Sequence, residues 1–149
     1  MAAIFTKYDL RLIKEKAGRY ELERLISSST QAGKICREVF ELEARPYEMV
    51  VMLALNTRNN VIGCFEIARG TVNESPVYVR EIATRALLSN AVSVILAHNH
   101  PSGSLRPSDA DLNFTMRTKD ALKLLGIKLL DHIIVSSAGY YSMAEQRQL

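Results

Sequence analysis

Residues 91–111 read AVSVILAHNHPSGSLRPSDAD: an apolar strand pattern runs straight into two histidines, a proline-bounded loop and the start of a helix. Side chains two apart on a strand share a side, so His98 and His100 aim two imidazoles at one point while Asn99 faces away. Pro101 has no N–H to give and ends the ladder, and Gly103 and Pro107 shape a loop that returns the chain to a helix at Ser108. Asp111 falls one turn into that helix. Two neutral histidines and a carboxylate, with a fourth position left to water, make the ligand set of a catalytic zinc site, where the ion activates water and polarises a carbonyl. Ser108 and Asp111 also fit a capping box ahead of an apolar helix, which calls for no chemistry at all.

Outward from this stretch, strands and helices alternate. Toward the N-terminus, EMVVMLALN and NVIGCFEIAR are β-rich runs joined around TRNN, whose asparagines tolerate the positive φ of a tight hairpin. GTVNESP reads as loop, followed by a short helix carrying Ile82, Ala83, Ala86 and Leu87 and ending near Asn90. Further back, Ala32, Ile35, Val39 and Leu42 mark a helix from Ser29 or Thr30 that Pro46 stops. At the start, Tyr8, Leu10 and Leu12 alternate with Asp9 and Arg11, and KAG precedes RYELERLI, which predicts a hairpin. Beyond Asp111, a helix over 109–125 places Leu112, Met116, Leu122 and Leu125 roughly on one stripe, with Gly126 at its stop. IKLLDHIIV and YYSMA then read as strands around an SSAG turn.

With 149 residues and 48% hydrophobic content, the expectation is one domain over 1–149: an N-terminal hairpin and helix over about 6–44 and a metal-binding core over about 45–144. The longest apolar run is too short to span a bilayer and the opening lacks the order of an export signal, so a cytoplasmic location with no membrane partner is expected. Cys36 and Cys64 share no CxxC spacing and read as buried free thiols. A net charge of +3, from 19 basic against 16 acidic residues mixed along the chain, gives no basic stripe for phosphate neutralisation and argues against nucleic acid.

The letters HNH match a nuclease name by spelling only, since that fold draws its three residues from separate parts of a ββα unit. Zinc nucleobase deaminases need a P-C-x-x-C that is missing here. The pattern HxHPxxxxxxSxxD, met by His98, His100, Pro101, Ser108 and Asp111, resembles the JAMM/MPN metalloprotease domains. EMVVMLALNTRNNVIG, GTVNESPVYVRE, AHNHPSGSLRPSDADLNFT and LLDHIIV together resemble the RadC family, the bacterial branch long labelled as DNA-repair proteins, over about residues 8–144. The resemblance implies an α/β (α+β) fold, a mixed β-sheet flanked by helices in the three-layer, cytidine-deaminase-like architecture. It implies one Zn2+ per chain on His98, His100 and Asp111. Ser108 would donate to the oxyanion, and Glu48, in RPYEMVV, would take a proton from the attacking water and pass it to the leaving amine. Without the resemblance Glu48 is an ordinary solvated residue at a strand start, and spacing does not choose it over Glu66, Glu74 or Glu81.

Longer RadC proteins carry a helix-hairpin-helix region, whereas these first residues read as strand, which argues against direct DNA contact. Ubiquitin-gripping insertions have little room here, so the expected substrate is a peptide or protein of unstated identity. Asn99 and Ser102 read either as supports that fix an imidazole tautomer or as local turn formers. His132 reads as a buried histidine bonded to Asp131 or backbone rather than as a ligand, and Arg80 and Glu81 as surface charge at a helix start rather than groove lining. Three functions compete: a zinc-dependent amide hydrolase, a DNA-associated repair factor with a structural metal, and a non-catalytic interaction module. Uncovered strand edges make a homo-oligomer unsurprising.

Overall fold

A computed structural model describes residues 1–70 and 76–149. Helix α1 (Ser29–Phe40) leads through a single 3₁₀ turn (Leu42–Ala44) to β1 (Met49–Leu55) and β2 (Val61–Arg69); α2 (Pro76–Leu88), β3 (Ser93–Asn99), α3 (Asp109–Leu124), β4 (Lys128–Ser136) and β5 (Gly139–Ser142) follow. The five strands form one mixed sheet in the order β2-β1-β3-β4-β5. β3 pairs antiparallel with β1 and parallel with β4, and α3 makes the crossover between β3 and β4. The fold is α+β, as the alternating pattern predicts. Apolar residues on one sheet face (Val50, Met52, Val94, Leu96) join α2 and α3, and those on the other (Val51, Leu53, Ile95, Ala97) join α1, so β1 and β3 are buried on both sides.

Local chemistry explains the element ends. Ser28 caps α1 by accepting the Gln31 N–H, and the helix stops at Phe40 rather than at Pro46 because Glu41 turns left-handed (φ 52°) and Arg45 Nε reaches back to the Phe40 carbonyl. In the β1–β2 turn Asn59 takes φ 57°, and the Asn56 side chain accepts from Arg58 N and Asn60 N. Most of the GTVNESP segment lies outside the described residues. The helix expected around Ile82 begins at Pro76, where a missing N–H leaves nothing unpaired in a first turn.

Three expectations need correction. The N-terminal hairpin is not there: residues 1–20 form no strand, Ile4, Phe5, Tyr8 and Ile13 are exposed, and the one pairing near them is an isolated bridge from Leu25 to Asn60. A two-stranded hairpin is marginal alone, and alternation holds a strand only where a ladder and a covered face receive it. Cys36 is buried, but Cys64 is exposed on the edge strand β2. The buried face of α3 is Asp111, Phe114, Thr115, Thr118 and Leu122, with Met116 and Leu125 turned outward. Thr115 and Thr118 fit inside because each hydroxyl donates to the carbonyl four residues back.

Among the described residues no helix is long and apolar enough to cross a membrane.

Candidate metal centre

β3 delivers His98 into the layer beneath α3, and the chain leaves the sheet immediately afterwards. His100 N donates to the Val135 carbonyl, Gly103 N to the His100 carbonyl, and Ser136 Oγ to the Gly103 carbonyl, which pins the loop against the end of β4. Gly103 sits at φ 86°, a conformation that suits a residue without Cβ. Ser108 and Asp111 then complete a reciprocal capping box: Asp111 N donates to Ser108 Oγ at 3.0 Å and Ser108 N to Asp111 Oδ2 at 2.8 Å. The cap holds the carboxylate at the helix start, facing β3.

His98 Nε2 lies 2.9 Å from His100 Nε2, Asp111 Oδ1 lies 3.4 Å from His98 Nε2, and Asp111 Oδ2 lies 3.3 Å from His100 Nε2. Among the described residues these three form the group whose atoms lie close enough to hold an ion. His98 and Asp111 are buried, while His100 keeps a partly exposed edge. Behind them, His98 Nδ1 is 2.8 Å from His132 Nε2, and His132 Nδ1 is 2.5 Å from Thr115 Oγ1. His100 Nδ1 is 2.9 Å from the Ser104 carbonyl. The adjacent Asp111 carboxylate lifts His100 above the ordinary imidazole value against the pull of burial, and the charge of Glu48 adds to the lift. Burial alone would raise Asp111, but the neighbouring imidazoles of His100 and His98 outweigh it and hold that carboxyl well below the usual range. Burial, then the neighbouring His98, keeps His132 well below the ordinary value, hence neutral.

Glu48 immediately precedes β1, whose pairing with β3 ends at Val50 and His98, and its charge acts on His100. Gly70 N donates to the Glu48 carbonyl at 2.8 Å and extends the β1–β2 ladder to the same point.

A family model described as a RadC-like JAB domain matches residues 26–149. The chain belongs to that family. A UPF0758 protein of Herminiimonas arsenicoxydans is 50% identical over 144 residues, covering 94% of this chain and 64% of its own length. One of Cupriavidus pinatubonensis is 42% identical over 143 residues, covering 94% and 63%. Another, from Janthinobacterium, is 48% identical over 108 residues, covering 72% and 48%. The chain therefore spans about half to two thirds of the length of these relatives.

The donor set of this RadC-like JAB domain fits a bound cation. A carbonyl only accepts, so His100 donates through Nδ1 to Ser104 and, as a neutral ring, presents a bare Nε2. Beside it stand an ionised carboxylate and a second imidazole nitrogen, and basic atoms packed this closely repel unless a positive charge lies among them. One ligand atom from each of the three residues lies within 4.8 Å of the others, close enough for all three to share an ion. The chemistry of the atoms and their separation therefore agree.

Of the two residues that flank the ligands, each open to two readings in the sequence, neither bonds an imidazole ring, and Ser102 takes the turn-forming role. Asn99 turns away from the imidazoles: its Oδ1 accepts Met49 N at 2.7 Å, and its Nδ2 donates to the Tyr47 and Arg45 carbonyls at 2.9 and 3.3 Å. It clamps the strand entrance that carries Glu48. Ser102 Oγ accepts the Ser104 N–H at 3.4 Å, and it is the Ser104 carbonyl that reaches His100. Glu81 pairs with Arg85 as a surface ion pair. Thr115 carried no signal, being a small polar residue hidden among apolar helix positions. Asn99→Ala strands the buried Met49 N–H and is expected to lower stability by about 1–3 kcal/mol in urea denaturation while leaving metal uptake intact.

Proposed function

We propose that the chain is a zinc-dependent hydrolase of the JAMM type, acting in the cytoplasm on an amide bond in a peptide or protein substrate. The observation that carries this reading is the convergence of two imidazole nitrogens and an ionised carboxylate from β3, its loop and α3. His98, His100 and Asp111 would hold the ion, which supplies a Lewis acid for the carbonyl and acidifies a water in the remaining position. Glu48, whose charge acts on His100, would accept the proton of the attacking water and return it to the leaving amine. Ser108 would serve the oxyanion without giving up its cap: its oxygen accepts from Asp111 N, and its hydroxyl proton remains available for donation. The mixed surface charge, +3 overall, favours this reading over a nucleic-acid role.

The test is a cleavage screen of the purified chain against a quenched peptide library. Cleavage is expected to stop with a zinc chelator and return on adding zinc. Cleavage indifferent to chelation would remove the metal from the reaction, and salt-sensitive DNA binding without any cleavage would favour the repair-factor reading.

A further inference from the structure

We infer that His132 and Thr115 are positioning residues that keep the proton of His98 on Nδ1, so that its Nε2 stays bare toward His100 and Asp111. The inference rests on the metal-site reading above and deepens it. The direction of each bond follows from the end of the chain that has no choice. The Asp111 carbonyl only accepts, so Thr115, one turn later on α3, gives it the single hydroxyl proton at 2.6 Å. The alternative acceptor for that proton, Met143 Sδ at 3.4 Å, also has no proton to give, so either way Thr115 Oγ1 is left as an acceptor. His132 Nδ1 therefore donates to it. A neutral imidazole carries one N–H, which leaves His132 Nε2 bare, and His98 Nδ1 donates to that nitrogen at 2.8 Å.

The relay runs His98 to His132 to Thr115 and ends on the main chain of Asp111, so it starts at one ligand and finishes at another. It spans three elements: β3, β4 and α3. Parallel pairing of β3 with β4 sets His132 beside Leu96, two residues before His98 on the same face, and full burial of His98, His132 and Thr115 keeps water from offering other partners. His100 reaches the same tautomer with one backbone carbonyl. Its neighbour at the buried end of the strand uses two side chains instead, because parallel strands spend their carbonyls on the ladder.

Three variants of the whole chain test this: Thr115→Val, nearly isosteric; His132→Phe, which removes both ring nitrogens; and His132→Gln, whose amide oxygen and NH2 reproduce acceptor and donor. Zinc affinity is read by competition with a chelating dye, and the His98 tautomer by ¹⁵N NMR on the metal-free protein. Wild type is expected to show His98 protonated on Nδ1. Thr115→Val and His132→Phe are expected to lose about 10–100-fold in zinc affinity with His98 shifted toward mixed tautomers, and His132→Gln to recover most of both. Folded Thr115→Val and His132→Phe that bind zinc within about twofold of wild type would overturn the inference, as would wild-type His98 protonated on Nε2. Wild-type protein that takes up no zinc, yet loses its Nδ1 preference on Thr115→Val, would sink the metal reading and leave the relay standing.

Discussion

Asp111→Ala is expected to abolish zinc binding: metal analysis returns roughly one equivalent per chain for wild type and close to none for the variant. The size of the effect follows from the position of the carboxylate. It supplies the negative charge of the donor set, with Oδ1 facing His98 and Oδ2 facing His100, and removing it leaves two neutral imidazoles to hold a divalent ion at a largely buried site. The same substitution opens the capping box, since Ser108 N loses its acceptor, so stability falls by about 1 kcal/mol even without metal. Asp111→Asn separates the two effects, because it keeps an oxygen for Ser108 N but lacks the charge. Thermal unfolding with added zinc gives an independent reading. At a hundredfold excess over the dissociation constant, binding to the folded state adds about 2.7 kcal/mol, or roughly 5–10 °C for a chain of this size. Wild type should show that rise and both Asp111 variants should not; a full rise in Asp111→Ala would mean that the ion binds elsewhere.

Much of this geometry was written locally. The strand, loop and capped helix of residues 93–111 could be read in order because each boundary has its own chemistry: Pro101 ends a ladder, Gly103 turns left-handed, and Ser108 and Asp111 cap. The β1–β2 hairpin was legible for the same reason, through the asparagines of TRNN, of which Asn59 takes the positive φ, whereas the bonds from Asn56 were not read. What stayed hidden depends on partners far along the chain. His132 looks like an ordinary polar interruption in an apolar strand until parallel pairing sets β4 beside β3 and brings its ring to His98. Thr115 was passed over because the stripe on α3 was traced through leucines and a methionine, whereas the face that turns inward is the one that carries Asp111 to the site. The N-terminal alternation misled in the opposite direction. Period two is necessary for a half-buried strand but supplies neither the neighbouring ladder nor the cover, and residues 1–20 find neither.

Glu48 is the proton acceptor of the proposed reaction, named by resemblance while local pattern is silent, which makes Glu48→Gln the most informative test of that proposal. The amide keeps the volume and leaves the backbone bond from Gly70 N to residue 48 unchanged, so fold and zinc content should match wild type. It cannot take up a proton, and peptide cleavage is expected to fall by about 10²–10⁴-fold in kcat, equivalent to roughly 3–5 kcal/mol at the transition state. KM should move little, because the substitution touches proton transfer rather than substrate binding. Glu48→Asp gives a graded comparison: it preserves basicity but draws the carboxylate back by one methylene, and proton transfer depends on hydrogen-bond reach, so its rate should lie between the two. A Glu48→Gln protein that binds zinc and cleaves at the wild-type rate would show that another group carries the proton. The search would then move along the same end of the sheet, to side chains that reach the exposed edge of His100, because His98 and Asp111 are buried.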